Sequence, residues 1–297
     1  MICCKKRHIL CVKEGITVKW DQHQRFRLIE LIAYWEGRLT TNHLCESFGI
    51  GRQQASKDIN FYIQHISQTN LEYDKSLKGY VPSGSFKPHF ITGEAQEFLN
   101  LLASQESNSN IFSPMEFTGG TACSLPIPTR HVNPEHVRKI LLAAKSQSRL
   151  DIGYRSMSQP ESEGRVIVPH SIVCTPLRWH VRAYCEKNGE FRDFLLSRFE
   201  GELDVLCNSD KTQEQDAKWH DIVDIEFSPD PRLSQEQQNM IRYEYDMTDG
   251  KFVIACRSAL VRYILFALNV FLEYEDTPLG RQQLVVLNRE EVFKHLV

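Results

Sequence analysis

The chain has 297 residues, 41% hydrophobic and 25% charged, a composition that argues against a disordered polyelectrolyte and allows two or three soluble globular domains. Its net charge of −3 is unevenly spread: residues 1–88 hold 13 Lys+Arg against 8 Asp+Glu, a net of +5, which leaves 22 against 30, or −8, for the remainder. A basic N-terminal third on an acidic body is the asymmetry of a nucleic-acid-reading module joined to something else.

The nine cysteines (Cys3, Cys4, Cys11, Cys45, Cys123, Cys174, Cys185, Cys207, Cys256) show no CxxC spacing, and several fall inside apolar patterns as small hydrophobes. A reducing cytoplasm is the expected location. Cys3 and Cys4, with His8 and Cys11 nearby, lack a second ligand pair at zinc-like spacing, so no metal and no cofactor is expected and the first residues read as an irregular start. Residues 1–10 lack the long apolar core of a signal peptide. The most apolar run, residues 259–272, is broken by Arg262 and too short to span a bilayer, so no membrane partner is expected.

Between residues 20 and 35, Phe26, Ile29, Leu31, Ile32 and Trp35 recur at helical spacing, with Asp21 near the start and Gly37 just beyond the end. Thr40 then caps a short helix over 41–48, with Leu44, Cys45 and Phe48 inward, that stops at Gly49. A third helix is expected over 52–64, with Ala55, Ile59, Tyr62 and Ile63 on the core side. Its other face carries Arg52, Gln53, Gln54, Ser56, Lys57 and Asn60. The inward small residue, the turn glycine, the apolar Ile50 and the polar-faced helix follow helix-turn-helix spacing. The stretch LCESFGIGRQQASKDIN resembles the winged helix-turn-helix of DeoR-type bacterial regulators, and residues 70–81 supply a hairpin that fits the wing. Arg pairs with guanine, Gln or Asn with adenine, and Ser or Lys with phosphate. With Thr40 and Thr41 at the second helix and Lys78 in the wing, those six residues form the expected DNA-binding set.

Residues 86–130 join this module to the rest. A helix over 92–104 presents Phe98, Leu101 and Leu102 on one face, either to its own domain or to a dimer partner. A Ser/Asn-rich loop and a Pro/Gly-rich loop follow, and then a helix over 134–146. From Arg149 the period changes to two, and strands are expected over 150–156, 165–174, 178–186, 190–199 and 202–207, with Asn188-Gly189 the strongest hairpin signal. Five short strands in so few residues suggest a bent sheet or barrel.

The strings IGYRSMS, RVIVPHSIV, LRWHVRAYC and FRDFLLSRF resemble the WYL domain, an Sm-like β-barrel found with winged helix-turn-helix domains in bacterial regulators. Over residues 20–295 the element order is similar to the WYL regulators that act as repressors at the BREX and CBASS phage-defence loci. The tripeptide that names the family is here Trp179-His180-Val181, which alters its middle, outward group.

Alternation puts Trp179, Val181, Ala183 and Cys185 on one face of the third strand and Arg178, His180, Arg182 and Tyr184 on the other. It puts Arg192, Phe194, Leu196 and Arg198 together on the next strand. Arg182 and Arg198 are then expected to share a face, where the resemblance implies a ligand pocket. Tyr154, Ser156, His170, His180 and Arg192 complete the expected ligand set, whose guanidinium, hydroxyl and ring groups suit a nucleotide or short oligonucleotide. Beyond residue 210, a strand over 219–228, a helix over 234–243, a strand over 251–255, a helix over 258–268 and a strand over 283–287 suggest an α/β sandwich. It resembles the extension that supports dimer contacts after WYL domains.

The expected fold is thus multidomain α+β: a winged helix-turn-helix (1–88), a linker (89–135), an Sm-like barrel (136–210) and a C-terminal dimerisation extension (211–297). The function implied is a homodimeric repressor of a phage-defence operon that binds an inverted repeat in double-stranded DNA and answers a nucleotide or nucleic-acid effector. The sequence holds no paired-carboxylate metal site, phosphate-binding glycine loop, GxSxG or HExxH, so an enzyme is not expected. An RNA- or single-strand-binding protein, or a nucleotide-processing enzyme built on the barrel, remain the alternatives.

Overall fold

The computed structural model describes residues 9–13, 16–107, 125 and 128–296, and the chain divides into two compact units, Met1–Pro126 and Ile127–Val297. Among the described residues no helix is long and apolar enough to cross a membrane. Cys3, Cys4 and His8 lie outside the described residues, as does most of the loop region between 108 and 127.

The first described residues of this unit form a hairpin. Strands β1 (Ile9–Lys13) and β2 (Ile16–Lys19) pair antiparallel, Leu10 opposite Val18. The signal was present in the sequence as two β-branched runs, ILCVK and ITVK, around Glu14-Gly15. Helix α1 (Trp20–Leu31) continues as a π-helical turn to Glu36 and ends at Gly37, whose φ of 76° is left-handed. Helices α2 (Thr41–Phe48) and α3 (Arg52–Phe61) are joined through Gly49, at φ 61°. The wing is β3 (Leu71–Asp74) and β4 (Gly79–Pro82). A methyl on Gly79 would stand 2.9 Å from the Leu39 carbonyl, so glycine there leaves the room in which Leu39 and Tyr80 exchange two backbone hydrogen bonds and hold the wing to the segment ahead of α2. Phe26, Ile29, Leu44, Ala55, Ile59 and Tyr62 are fully buried at the centre. Helix α4 (Ala95–Ser107) closes the unit. Phe98 and Leu101 pack on that core, with Phe98 stacked on Trp35 at 5.0 Å, so within this unit the apolar face of α4 has a local use.

A buried carboxylate ties the end of the wing module to α1. Glu30 accepts hydrogen bonds from the Tyr62 hydroxyl at 2.7 Å and from the backbone of His89, Phe90 and Ile91. Asn70 donates to Tyr62 and to the Lys87 carbonyl, both at 2.8 Å. Burial raises the Glu30 pKa against the pull of those donors.

In the second unit, α5 (Pro134–Ser146) begins at Asn133, whose side chain accepts from the Glu135 N–H at 2.9 Å with proline at the first helical position. It packs on an antiparallel sheet of β5 (Ser148–Tyr154), β6 (Glu163–Thr175), β7 (Arg178–Cys185), β8 (Glu190–Leu195) and β9 (Phe199–Asn208), in the order β8-β7-β6-β5-β9. The expected barrel is not closed. Strands β8 and β9 each pair with one neighbour and stand at opposite ends of the sheet, and a 3-10 turn (Leu196–Arg198) carries the chain from one to the other. The core under α5 is Ile140, Ala143, Leu150, Ile152, Ile167, Val181, Ala183, Phe194 and Leu203.

The chain then passes through α6 (Ala217–His220) to β10 (Ile222–Pro229), α7 (Gln235–Glu244), β11 (Phe252–Arg257), α8 (Val261–Ala267), β12 (Leu284–Val286) and α9 (Arg289–Phe293). The strands form one sheet, β11-β10-β12. Val223, Ile225 and Phe227 alternate inward against Ile241, Val261, Leu265 and Val292 of the three helices, giving two layers. Trp219, expected to open a strand, lies in α6 instead, because Asp216 and Gln213 start helical turns ahead of it.

Candidate functional site

On α3 the expected polar residues stand clear of the core. Arg52, Gln53, Gln54, Ser56, Lys57 and Asn60 are all exposed, while Ala55, Asp58 and Ile59 are buried between them. Gln54 donates to Asp58 at 3.0 Å, and no other side chain of the six has a hydrogen-bond partner among the described residues. Thr40 and Thr41 are half-buried at the start of α2, where the Thr40 N–H donates to His43 Nδ1 at 3.2 Å. Lys78 sits exposed at the wing tip with φ 50°, next to an Asp74 carboxylate that accepts from Ser76 and Leu77.

Sequence reasoning missed Asp58, which is 2% exposed and receives Arg25 Nε at 2.7 Å. Arg25 also reaches Asp21 at 3.0 Å. This pair fixes α3 on α1, and it explains why a carboxylate occurs in a helix that offers cations to solvent. A polar residue at an inward position was its only trace in the sequence.

In the second unit the expected ligand residues separate. Tyr154 is a core residue, edge-on to Phe194 and Phe199, its hydroxyl accepting from the Leu195 N–H at 3.0 Å. Ser156 shapes a turn by accepting from the Gln159 N–H at 3.0 Å. Arg192 is exposed and pairs with Glu190 at 3.3 Å. Its cross-strand partner is Ala183, so it is one step out of phase with Arg182. The residue opposite Arg182 is Asp193. Arg198 does not share a strand face with Arg182, because strand geometry stops at Leu195 and Arg198 lies in the 3-10 turn. Alternation also fails at Trp179, expected inward but 53% exposed. Pairing of β7 with β8 begins only at His180, so Trp179 overhangs and walls a 640 Å³ cavity with Val132, Val137 and Ile172.

His170 and Arg182 remain together on Asp216, and the buried His180 is linked to them through Tyr263 and Asp193. Arg182 donates Nε to Asp216 Oδ2 at 2.7 Å, Nη2 to Asp216 Oδ1 at 3.1 Å and Nη1 to Asp193 at 3.2 Å. His170 Nε2 lies 3.2 Å from the same Asp216 carboxylate. The Tyr263 hydroxyl of α8 donates to Asp193 at 2.9 Å, and its ring meets that of His180 at 4.8 Å. Burial alone would raise the Asp216 pKa, but the hydrogen bonds from His170 and Arg182 outweigh it and hold the group at about 2. Burial also lowers the His180 pKa, Asp193 opposing and Arg178 and Arg198 assisting. A cleft of 570 Å³ opens here between β8 and α8, lined by Arg182, Arg192, Asp193, Asp216, Arg262 and Tyr263 among others. Asp193, Asp216 and Tyr263 gave no sequence signal, since each acts across a distance of many residues. Among the described residues no group of three His, Cys, Asp or Glu side chains is placed to hold a metal.

Three family descriptions match successive parts of the chain: the BrxR transcriptional regulator winged helix-turn-helix domain at residues 21–104, the WYL domain at 135–202, and the BrxR transcriptional regulator C-terminal dimerization domain at 222–292. The DNA-binding transcriptional repressor CapW of Escherichia coli (strain KTE188) is 32% identical over 276 residues, covering 93% of this chain and 92% of its own. The chain belongs to the CapW repressor family. CapW of Pseudomonas aeruginosa is also 32% identical, over 92% of this chain and 91% of its own. Among solved structures, the proteasome accessory factor B/C (PafBC) of Arthrobacter aurescens matches 98% of this chain at 16% identity and a TM-score of 0.25, and this chain spans about half of it (48%). The CapW family is one of DNA-binding repressors rather than enzymes, and α3 and the C-terminal layer fall inside the parts matched as DNA-binding and dimerisation domains.

Proposed function

We propose that this protein represses transcription as a homodimer, each protomer setting α3 into the major groove of one half of an inverted repeat, and that a nucleotide or nucleic-acid effector at the β7 face regulates it. Residues 1–88 read DNA through Thr40, Thr41, Arg52, Gln53, Gln54, Ser56, Lys57, Asn60 and Lys78. Residues 136–210 carry the effector face, and residues 211–297 join the protomers. The promoter controlled is that of a phage-defence operon, the role that the resemblance to such repressors implies.

Five unbonded polar side chains on one exposed face of α3, on a helix pinned from behind by Arg25 and Asp58, support DNA reading best. Free donors and acceptors on a rigid support can meet base edges without first breaking internal bonds. Footprinting of the full chain on the DNA upstream of its own gene tests the proposal. Two protected half-sites about one helical turn apart, ~10 bp centre to centre, or a multiple of this, are expected. Protection without twofold symmetry overturns the dimeric arrangement, and no protection overturns DNA reading.

A further inference from the structure

Beside the 570 Å³ cleft, on the other side of Arg262 and Tyr263, lies a second cavity of 410 Å³. Arg178, His180, Arg262, Tyr263, Phe266 and Leu177 line it, and its size suits a small molecule, ~300–1,000 Å³ being usual for such sites. Its chemistry is unusual for this sheet. Arg149, Arg165, Arg182 and Arg192 of the sheet, and Arg155 just past β5, each hold a carboxylate. Among the described residues Arg178 and Arg198 have none, and Arg262 binds only the Leu296 carbonyl, at 2.8 Å. His180 is 4% exposed and its Nδ1 is buried without a hydrogen-bond partner. Asp193 acts on His180 from the neighbouring cleft, but the lining of this cavity itself holds no carboxylate, so its two guanidinium groups repel each other and an anion between them relieves that. The remaining wall is aromatic and aliphatic, which suits a flat ring.

We propose that this cavity is the effector site and takes a mononucleotide, its base against Tyr263 and Phe266 with His180 as hydrogen-bond partner and its phosphate on Arg178 and Arg262. The proposal rests on the effector-regulated repressor described above and places the site on α8 as well as on the WYL sheet. Arg262, Tyr263 and Phe266 belong to the matched dimerisation domain, so an occupant touches both layers of the unit.

The full chain is titrated with adenosine 5′-monophosphate, adenosine and inorganic phosphate, read by calorimetry and by thermal shift. Adenosine monophosphate is expected to bind more tightly than either half alone. Arg178→Gln and Arg262→Gln, both on accessible side chains, should each weaken it about tenfold or more, while Arg155→Gln, on an ion-paired surface arginine, leaves it unchanged. DNA retardation without nucleotide should be the same in Arg178→Gln and Arg155→Gln as in wild type. The site is overturned if the nucleotide does not bind, if phosphate alone binds as tightly, or if Arg178→Gln binds like wild type while Arg192→Gln weakens, which would move the ligand to the neighbouring cleft. Failure of wild type to retard DNA would overturn the repressor proposal and leave the cavity result standing on calorimetry alone.

Discussion

Asp216 accepts two hydrogen bonds from the Arg182 guanidinium, at 2.7 and 3.1 Å, and both side chains are almost wholly buried. The arginine that most resembles a ligand group in the sequence is therefore occupied by a carboxylate 34 residues further on. A buried pair of this kind adds modest net stability, but removing one partner leaves a naked charge and costs several kcal/mol. The pair lies where the chain leaves the WYL sheet for β10, so it sets the position of one layer against the other.

Acid should loosen this junction. The Asp216 pKa is lowered in the folded state, from an ordinary 3.8 to about 2, so its contribution is complete above pH ~4 and is lost as the pH falls toward 2. The shift corresponds to about 2 kcal/mol. Thermal unfolding followed between pH 5 and 2 should show this loss in wild type. In Asp216→Asn the second unit should be less stable at pH 7 and its acid sensitivity smaller by that amount. An unchanged pH profile in the variant would contradict the assignment.

Arg52→Ala combined with Gln53→Ala should abolish sequence-specific retardation of a promoter fragment at matched salt. Both side chains are exposed and unbonded, so the melting temperature should barely move, surface changes of this sort being worth about ±0.5 kcal/mol. Lys57→Ala should instead weaken binding evenly across sequences and reduce the salt slope by about 1, as loss of one phosphate contact requires. Mobility-shift titrations at several salt concentrations separate the two.

Local signals were legible and long-range ones were not. The order of α1 to α3, the turn at Gly49 and the strands β5 to β9 follow from apolar period and glycine placement, which act within one element. The expectation for Arg182 and Arg198 extended strand alternation through Leu196, where the chain turns to reach β9. Trp179 was misplaced because periodicity reports a face and not whether anything covers it. His170 and Arg182 looked like free ligand groups because Asp216 cannot be assigned to them without the fold. The hairpin of β1 and β2 was readable from its alternation but was masked by the cysteines and charges ahead of it.

Asp58→Ala should destabilise the first unit by about 3 kcal/mol, since it leaves the buried Arg25 with only the exposed Asp21 for a partner. DNA affinity should fall with it, because α3 loses its tie to α1. Arg25→Met combined with Asp58→Leu removes both charges and should recover much of the stability. The double variant should recover less of the DNA affinity, as Gln54 loses the acceptor that orients it. Melting curves and retardation on the same samples test this; equal recovery of both would show that the pair serves stability alone.

Charging the apolar surface of the C-terminal layer should separate the protomers. Phe271 and Phe293 are 39% and 53% exposed, and with Leu265, Val270 and Leu272 they line a 510 Å³ groove; all of these but Phe293, one residue past its end, fall within the part of the chain matched as a dimerisation domain. Exposed aromatic side chains clustered on one face mark an interface rather than ordinary surface. Phe271→Glu with Phe293→Glu would place two charges in each copy of an apolar contact, and the twofold axis doubles the effect. Sedimentation equilibrium should then show dimer dissociation increased about a hundredfold or more, with the fold retained by circular dichroism. Retardation should weaken steeply as well, because two half-sites read by a dimer gain from effective concentration that separate monomers lack. A variant that stays dimeric would assign dimerisation to another face, the exposed Ile222 and Val253 side of β10 and β11 being the next to test.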